Sequence, residues 1–230
     1  MAQAVFREEV EQQVLGAYLP ATGFFVEVGA FHPVDFSQTF LLEQHGWDGL
    51  LVEPIPAQAE NLRRMRRARV FEVACGSPAQ HGRTQKMSIA GALSSLRADQ
   101  NGPGQSVDVP IRTLDSLLAE ANVQRIDLLS VDVEGVELEV LAGLSFDKYR
   151  PGLILLEDFA ERLDKHRFMR AHGYKRVRRT GNNSWYVPDE VPFPLSAFER
   201  WQLLRKYYLA LPTRWLKNNL AAPLKRAMGR

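Results

Sequence analysis

The sequence predicts an α/β fold: a doubly wound, mostly parallel sheet, with a C-terminal antiparallel hairpin and a basic helical tail. Two observations predict the sheet. Apolar runs of strand length alternate with helix-length amphipathic segments, the signature of βαβ units. These runs are also continuous rather than alternating, as in "GFFVEVGA", "GLLVEP" and "IDLLSVD", which is expected of strands covered on both faces. A third observation predicts the tail. From Trp201 to Arg230 there are seven Lys or Arg and no acid, a charge of +7, while the remainder carries 22 basic and 27 acidic residues, a charge of −5.

The elements follow in order. Phe6, Val10, Val14 and Tyr18 recur at helical spacing, so an N-terminal helix is expected within 1–22. "GFFVEVGA" is a strand and "SQTFLLEQHGW" a helix ended near Gly46. "GLLVEPIP" is a second strand stopped by prolines, "AQAENLRRMRRA" a helix and "RVFEVACG" a third strand. Ala79 to Gln105 is polar and glycine-rich and reads as a loop excursion, with a hairpin within it as the alternative. "VDVPIRTLDSLLAEA" gives a short strand and a helix, "IDLLSVDVEG" a fourth strand before the helix "VELEVLAGL", and "RPGLILLEDF" a fifth strand. "YKRVRRTGNNSWYVP" is a hairpin turning at "TGNN". The main domain therefore spans 23–190, and a basic, amphipathic helical extension spans 191–230.

The 230 residues suit one domain with an added element. Cys75 is the single cysteine, which excludes an intrachain disulfide and a cysteine-rich zinc site. No apolar stretch is long enough to span a bilayer, and the start of the chain is acidic rather than signal-like. A cytoplasmic setting is expected, with contact at the inner membrane face as the alternative.

In doubly wound sheets ligands bind beyond the carboxyl ends of the strands. The residues there are Glu27 and Gly29, then Glu53, then Ala74 and Cys75, then Asp132. Glu53 is placed to accept both hydroxyls of a ribose, because a carboxylate offers two acceptor oxygens. Cys75 would border an adenine. After Gly29 come Ala30, Phe31, His32 and Pro33, so the glycines that expose backbone N–H groups to a pyrophosphate are missing, and Pro33 has no N–H. No P-loop occurs either. A cofactor with adenine and ribose but no phosphate fits: S-adenosylmethionine, with Glu27 serving its amino-acid end.

"FVEVGAFHPVDFSQTFLLEQHGWDGLLVEP", "RTLDSLL" and "IDLLSVDVEGVELEVLAG" together resemble FkbM-type methyltransferases over roughly Gly23 to Pro188. The resemblance implies a Rossmann-like class I methyltransferase that uses S-adenosylmethionine, usually on a hydroxyl oxygen. It places Ser37 and Thr39 in a run that holds the methionine end of the cofactor, with Gln38 where the family has Asn. It matches Glu53 to the ribose acid and Asp132 with Glu134 to a "D-x-E-G" signature. "RTGNNSWYVP" resembles a feature of members associated with surface glycans.

A sugar hydroxyl must lose its proton during attack, so a base is needed. Asp132, Glu134, Asp158 and His166 are the candidates, with Asp132, Asp158 and His166 foremost. The alternative is a divalent cation that lowers the hydroxyl pKa, held by Asp132 with Glu157 or Asp158. Glu134, Arg179, Asn182, Asn183 and Trp185 are expected to contact the acceptor: amides suit hydroxyls and a flat ring suits C–H faces. The expected function is O-methylation of a sugar in a glycan or glycolipid. The alternatives are methylation of a polyketide or carboxylic acid, and a non-catalytic binding module. For the tail, packing on the domain or on a second subunit competes with an anionic membrane surface. Nucleic acid is not expected, since no reading module accompanies the basic residues.

Overall fold

The computed structural model describes residues 18–88, 106–158, 163–180, 182–210 and 213. The expected N-terminal helix up to residue 17, residues 89–105 of the loop excursion and the tail beyond 210, apart from Thr213, lie outside the described residues. The chain divides into two compact units, Met1–Glu157 and Asp158–Arg230.

The first unit is built on five parallel strands in the order β3-β2-β1-β7-β8, where β1 is Phe24–Val28, β2 Asp48–Val52, β3 Arg69–Phe71, β7 Leu128–Val131 and β8 Leu153–Glu157. β1 pairs in parallel with β2 on one side and with β7 on the other. Order reverses between β1 and β7, so the ligand crevice is expected at their carboxyl ends. Phe25, Val26, Leu50, Leu51, Leu128 and Leu129 are fully buried, because helices cover both faces.

The helices start and stop for local reasons. α1 (Phe40–Gln44) is short and is followed by Gly46 at φ +88°. α2 (Pro56–Met65) opens on a proline, whose fixed φ and missing N–H suit the first turn. α3 (Leu114–Glu120) is capped by Thr113, whose hydroxyl accepts from the Ser116 N–H. α4 (Glu137–Ala142) and α5 (Phe146–Tyr149) connect β7 to β8.

The run "RVFEVACG" forms two strands rather than one. β3 pairs with β2, whereas β4 (Ala74–Cys75) pairs in parallel with β6 (Ser106–Arg112). β6 also pairs antiparallel with β5 (Thr84–Ser88), so part of the expected loop excursion is strand. Ile55, Ala74, Met87, Val109 and Ile111 make a small apolar cluster on this second sheet.

The second unit contains α6 (Asp164–Ala171), the antiparallel pair β9 (Tyr174–Thr180) and β10 (Asn183–Pro188), and α7 (Ala197–Leu204), which runs into a π-helical turn, Arg205–Leu209. Tyr174, Trp185 and Tyr186 are fully buried and form its core. Among the described residues no helix is long and apolar enough to cross a membrane.

Candidate functional site

A cleft opens at the carboxyl ends of β1, β2 and β7, where the strand order reverses. Gly29, Glu53, Cys75, Asp132 and Glu134 line it, together with Phe31 and an apolar wall that includes Ile55, Ala74 and Met87. Five residues singled out in the sequence are thus gathered in one place.

Gly29 is required by the protein's own backbone. It sits at φ +86°, and a Cβ there would lie 1.8 Å from the Asp132 carbonyl oxygen. No side chain fits that approach. The loop that follows has its N–H groups engaged. Gly29 and Ala30 both donate to the Val52 carbonyl, at 3.0 and 3.2 Å, and Phe31 donates to Glu53 Oε2 at 2.9 Å. The N–H groups that a dinucleotide-binding turn aims at a pyrophosphate are therefore occupied here. His32 closes the turn: its Nδ1 accepts from the N–H of Asp35 at 2.9 Å and of Val34 at 3.3 Å.

Glu53 is buried at the end of β2. Its Oε1 accepts from the Ile55 N–H at 2.8 Å, and its Oε2 from Phe31. Burial pushes its pKa above the ordinary carboxylate value, and these two backbone bonds pull it back. A carboxylate has about four lone-pair sites, so two further donors can be accepted. Beside it the Cys75 thiol is pushed up to about 12 by burial, so it stays protonated and acts as a small apolar wall.

Glu27, Ser37 and Thr39 do not line this cleft. They form a buried network behind its loop. The Glu27 carboxylate accepts from Ser37 Oγ at 3.0 Å, the Gln38 N–H at 2.8 Å and Thr39 Oγ1 at 2.5 Å. Arg66, which the sequence reading passed over, organises the rest. Its Nη1 donates to Ser37 Oγ and the Pro33 carbonyl, its Nη2 to Thr39 Oγ1, and its Nε to Glu43 at 3.2 Å. Glu43 also accepts from the N–H groups of Arg67 and Ala68. The guanidinium fork reaches four acceptors, three on the loop from Pro33 to Thr39 and one on α1, which an ammonium could not match. Burial raises the Glu27 pKa; the bonds from Thr39, Gln38 and Ser37 and the charge of Arg66 oppose that rise. The network thus fixes the loop that carries Phe31 and His32.

Asp132, Glu134 and Glu157 bring one oxygen each to within 4.8 Å of one another. The first two face the cleft and Glu157 ends β8. Glu134 adopts φ +54°, an uncommon conformation for a non-glycine residue, and Phe31 adopts φ +43°. Both lie against the cleft, where such strain is concentrated in functional loops. Three carboxylate oxygens this close form a donor set that suits a hard divalent ion. The expected trio had Asp158 in place of Glu134.

Asp158 opens the second unit, and its buried carboxylate accepts from Ser184 Oγ at 3.1 Å and faces Arg176 Nη1 at 3.6 Å. Arg179 donates to the Asp158 carbonyl at 2.6 Å, and the Asp158 N–H donates to the Asn182 carbonyl at 2.7 Å. Asn183 pairs with Thr180 across the hairpin. Trp185 is fully buried, with Nε1 donating to Thr180 Oγ1 at 2.9 Å, so its ring packs in the unit's core rather than against a sugar. His166 on α6 lies between two phenols, with Nδ1 3.4 Å from the Tyr186 hydroxyl and Nε2 3.2 Å from that of Tyr208. Burial, then the charges of Arg176 and Arg170, lower its pKa to about 4, so it is neutral at physiological pH.

A model of the methyltransferase FkbM domain matches residues 27–176, which runs from the end of β1 through the Glu53 and Asp132 strand ends and takes in most of the first unit. A search of curated proteins gives no match. The matched span exceeds half of the sequence, and the chain belongs to the FkbM methyltransferase family.

Proposed function

We propose that the chain is an S-adenosylmethionine-dependent O-methyltransferase whose acceptor is a sugar hydroxyl in a glycan or glycolipid. The observation that carries the cofactor assignment is the state of the β1 loop: its N–H groups are engaged by Val52 and Glu53, while the Glu53 carboxylate keeps acceptor capacity on the cleft. That combination favours ribose hydroxyls over phosphate. Ile55, Ala74, Cys75 and Met87 offer an apolar wall for the adenine. When bound, the cofactor supplies an electrophilic methyl group.

The chain's own residues supply position and proton transfer. Alignment of the acceptor is worth roughly 7–11 kcal/mol when it is well ordered. Asp132, at the end of β7 and on the cleft, is the group proposed to take the hydroxyl proton, with Glu134 beside it to orient the acceptor through hydrogen bonds. The sugar assignment rests on the likeness of "RTGNNSWYVP" to a segment of family members associated with surface glycans.

Titration calorimetry with S-adenosylmethionine and its demethylated product tests the cofactor, and absence of heat with both would sink the reading. Mass spectrometry of surface glycans from a deletion strain tests the acceptor. An unchanged methylation pattern there, with cofactor binding intact, would move the assignment to a polyketide or carboxylic acid.

A further inference from the structure

α7 contains no buried residue, yet it is rich in apolar side chains. Phe198 is 67% exposed, Trp201 49%, Leu204 46%, Tyr208 48% and Leu209 56%. Phe198, Trp201 and Leu204 recur at three-residue spacing, the interval that places side chains on one face. The helix is nonetheless well formed, with a Ser196–Glu199 capping box at its start. An ordered helix that presents aromatics to the outside needs a partner to cover them.

Charge indicates which partner. Between helix and β9 runs a groove lined by Arg178, Arg179, Arg205 and Lys206, with Phe198 and Leu203 as its apolar side. Glu199 is the acid in this groove, and it is paired with Arg178 at 3.4 Å. Residues 158–230 hold sixteen Lys or Arg against six Asp or Glu, a net +10, while residues 1–157 hold thirteen against twenty-one, a net −8. Exposed aromatics flanked by Arg and Lys, on a segment too short and too polar to span a bilayer, fit the headgroup region of an anionic membrane. There the rings enter the interface and the cations meet lipid phosphates.

We propose that α7, the π-helical turn after it and the adjoining basic groove form a docking surface for an anionic lipid bilayer. Phe198, Trp201 and Leu204 insert at the acyl boundary, and Arg205 and Lys206 receive phosphodiester groups. The proposal is independent of methyl transfer, since vesicle binding requires neither cofactor nor acceptor.

The test is sedimentation of the full chain with vesicles of phosphatidylcholine alone and of phosphatidylcholine containing phosphatidylglycerol. Binding is expected to the second and not the first, and to weaken with added salt. Arg205→Gln/Lys206→Gln is expected to lower partitioning roughly 25-fold, about fivefold per charge removed. Phe198→Ser/Trp201→Ser is expected to abolish pelleting while circular dichroism and S-adenosylmethionine binding stay as in the unsubstituted chain. At matched ionic strength inorganic phosphate should displace the chain from vesicles no better than chloride; if phosphate alone competes fully with vesicle binding, the groove is a small-anion site and the membrane assignment falls. Equal binding to both vesicle types overturns it, as does a concentration-dependent dimer that the Phe198/Trp201 variant dissolves, which would give the surface to a second copy of the chain.

Discussion

The backbone at Gly29 passes so close to Asp132 that a Cβ on residue 29 would lie 1.8 Å from the Asp132 carbonyl oxygen. The same approach is held by the Asp132 N–H, which donates to the Val28 carbonyl at 3.0 Å. This contact sets the distance between the two strand ends that flank the cleft. Gly29→Ala must either move β7 or abandon φ +86°. The unfavourable backbone alone costs roughly 1–3 kcal/mol, and the clash adds to that. Thermal unfolding should show a clear loss of stability, and calorimetry a loss of cofactor binding. A variant with an unchanged melting temperature and affinity would refute this reading of the contact.

Glu53 makes a separable prediction, because its two backbone bonds hold it in place while its remaining lone pairs face the cleft. Glu53→Gln keeps the size but turns one acceptor into a donor. Cofactor affinity is expected to fall roughly ten- to hundredfold, the worth of one or two hydrogen bonds to a charged group. The pH dependence has a definite sign. The pKa of Glu53 is raised in the fold, so the carboxylate takes up its proton at a higher pH than an ordinary glutamate. Affinity of the unsubstituted chain should therefore decline, on acidification, before ordinary carboxylates titrate, and the Gln variant should lack that decline. For stability the sign is opposite. A raised acid stabilises the fold most below its unfolded value and loses that contribution as pH rises through its folded value.

Arg66 is buried and joins Glu43 directly and Glu27 through Ser37 and Thr39. Arg66→Met would leave two buried carboxylates without their cation, and breaking a buried pair in this way costs about 3–5 kcal/mol. Arg66→Lys is expected to recover little, since one ammonium cannot reach the Pro33 carbonyl, Ser37, Thr39 and Glu43 together. Urea denaturation measures both variants. A lysine variant as stable as the unsubstituted chain would show that charge alone, and not the fork, holds the loop.

These residues also show what the sequence could and could not disclose. The parallel sheet was readable because "FFVEV", "GLLV", "LLSV" and "LILLE" are continuous apolar runs. Glu53, Cys75 and Asp132 were readable because each follows such a run and strand ends carry ligands in this architecture. Glu27 announced, by lying inside an apolar strand, that it needed partners. It could not announce that they would be Ser37, Gln38 and Thr39 rather than a cofactor. Arg66 stands among Arg63, Arg64 and Arg67 in a run that reads as one solvated helix, and nothing local shows that α2 ends at Met65 and that Arg66 turns inward. The division of "RVFEVACG" into β3 and β4 depends on β6, thirty residues on, and no local pattern encodes it. Trp185 suited a sugar platform by type, but its position in the β10 register buries it.

Asp132 is the proposed base, and its removal should act on the chemical step rather than on cofactor capture. Asp132→Asn is expected to lower kcat roughly 10²–10⁴-fold, the usual worth of general-base assistance. Cofactor affinity, measured separately by calorimetry, should change much less. Because Glu134 and Glu157 stand within 4.8 Å, neutralising Asp132 also removes a like charge, so the variant should not be less stable than the parent. Equal losses in kcat and in cofactor affinity would instead make Asp132 a binding residue.

His166 carries the last prediction, and its sign differs from that of Glu53. Burial and the neighbouring Arg176 and Arg170 lower its pKa from 6.5 to about 4, so the folded chain keeps the imidazole neutral where the unfolded chain protonates it. Below pH 6.5 the unfolded state binds more protons, and stability must fall as pH drops toward about 4. The neutral ring bridges α6 to Tyr186 on β10 and to Tyr208 on the π-helical turn, so its protonation works against the packing of the second unit. His166→Gln removes the titration and should flatten the stability profile across that window, with partial loss of stability at neutral pH from the altered phenol contacts. Denaturation midpoints collected from pH 4 to pH 7 decide the matter. A parallel offset of the two profiles, without a change in slope, would show that His166 titrates normally. A rate profile that loses an ionisation near pH 6.5 in the Gln variant would restore it as the catalytic base.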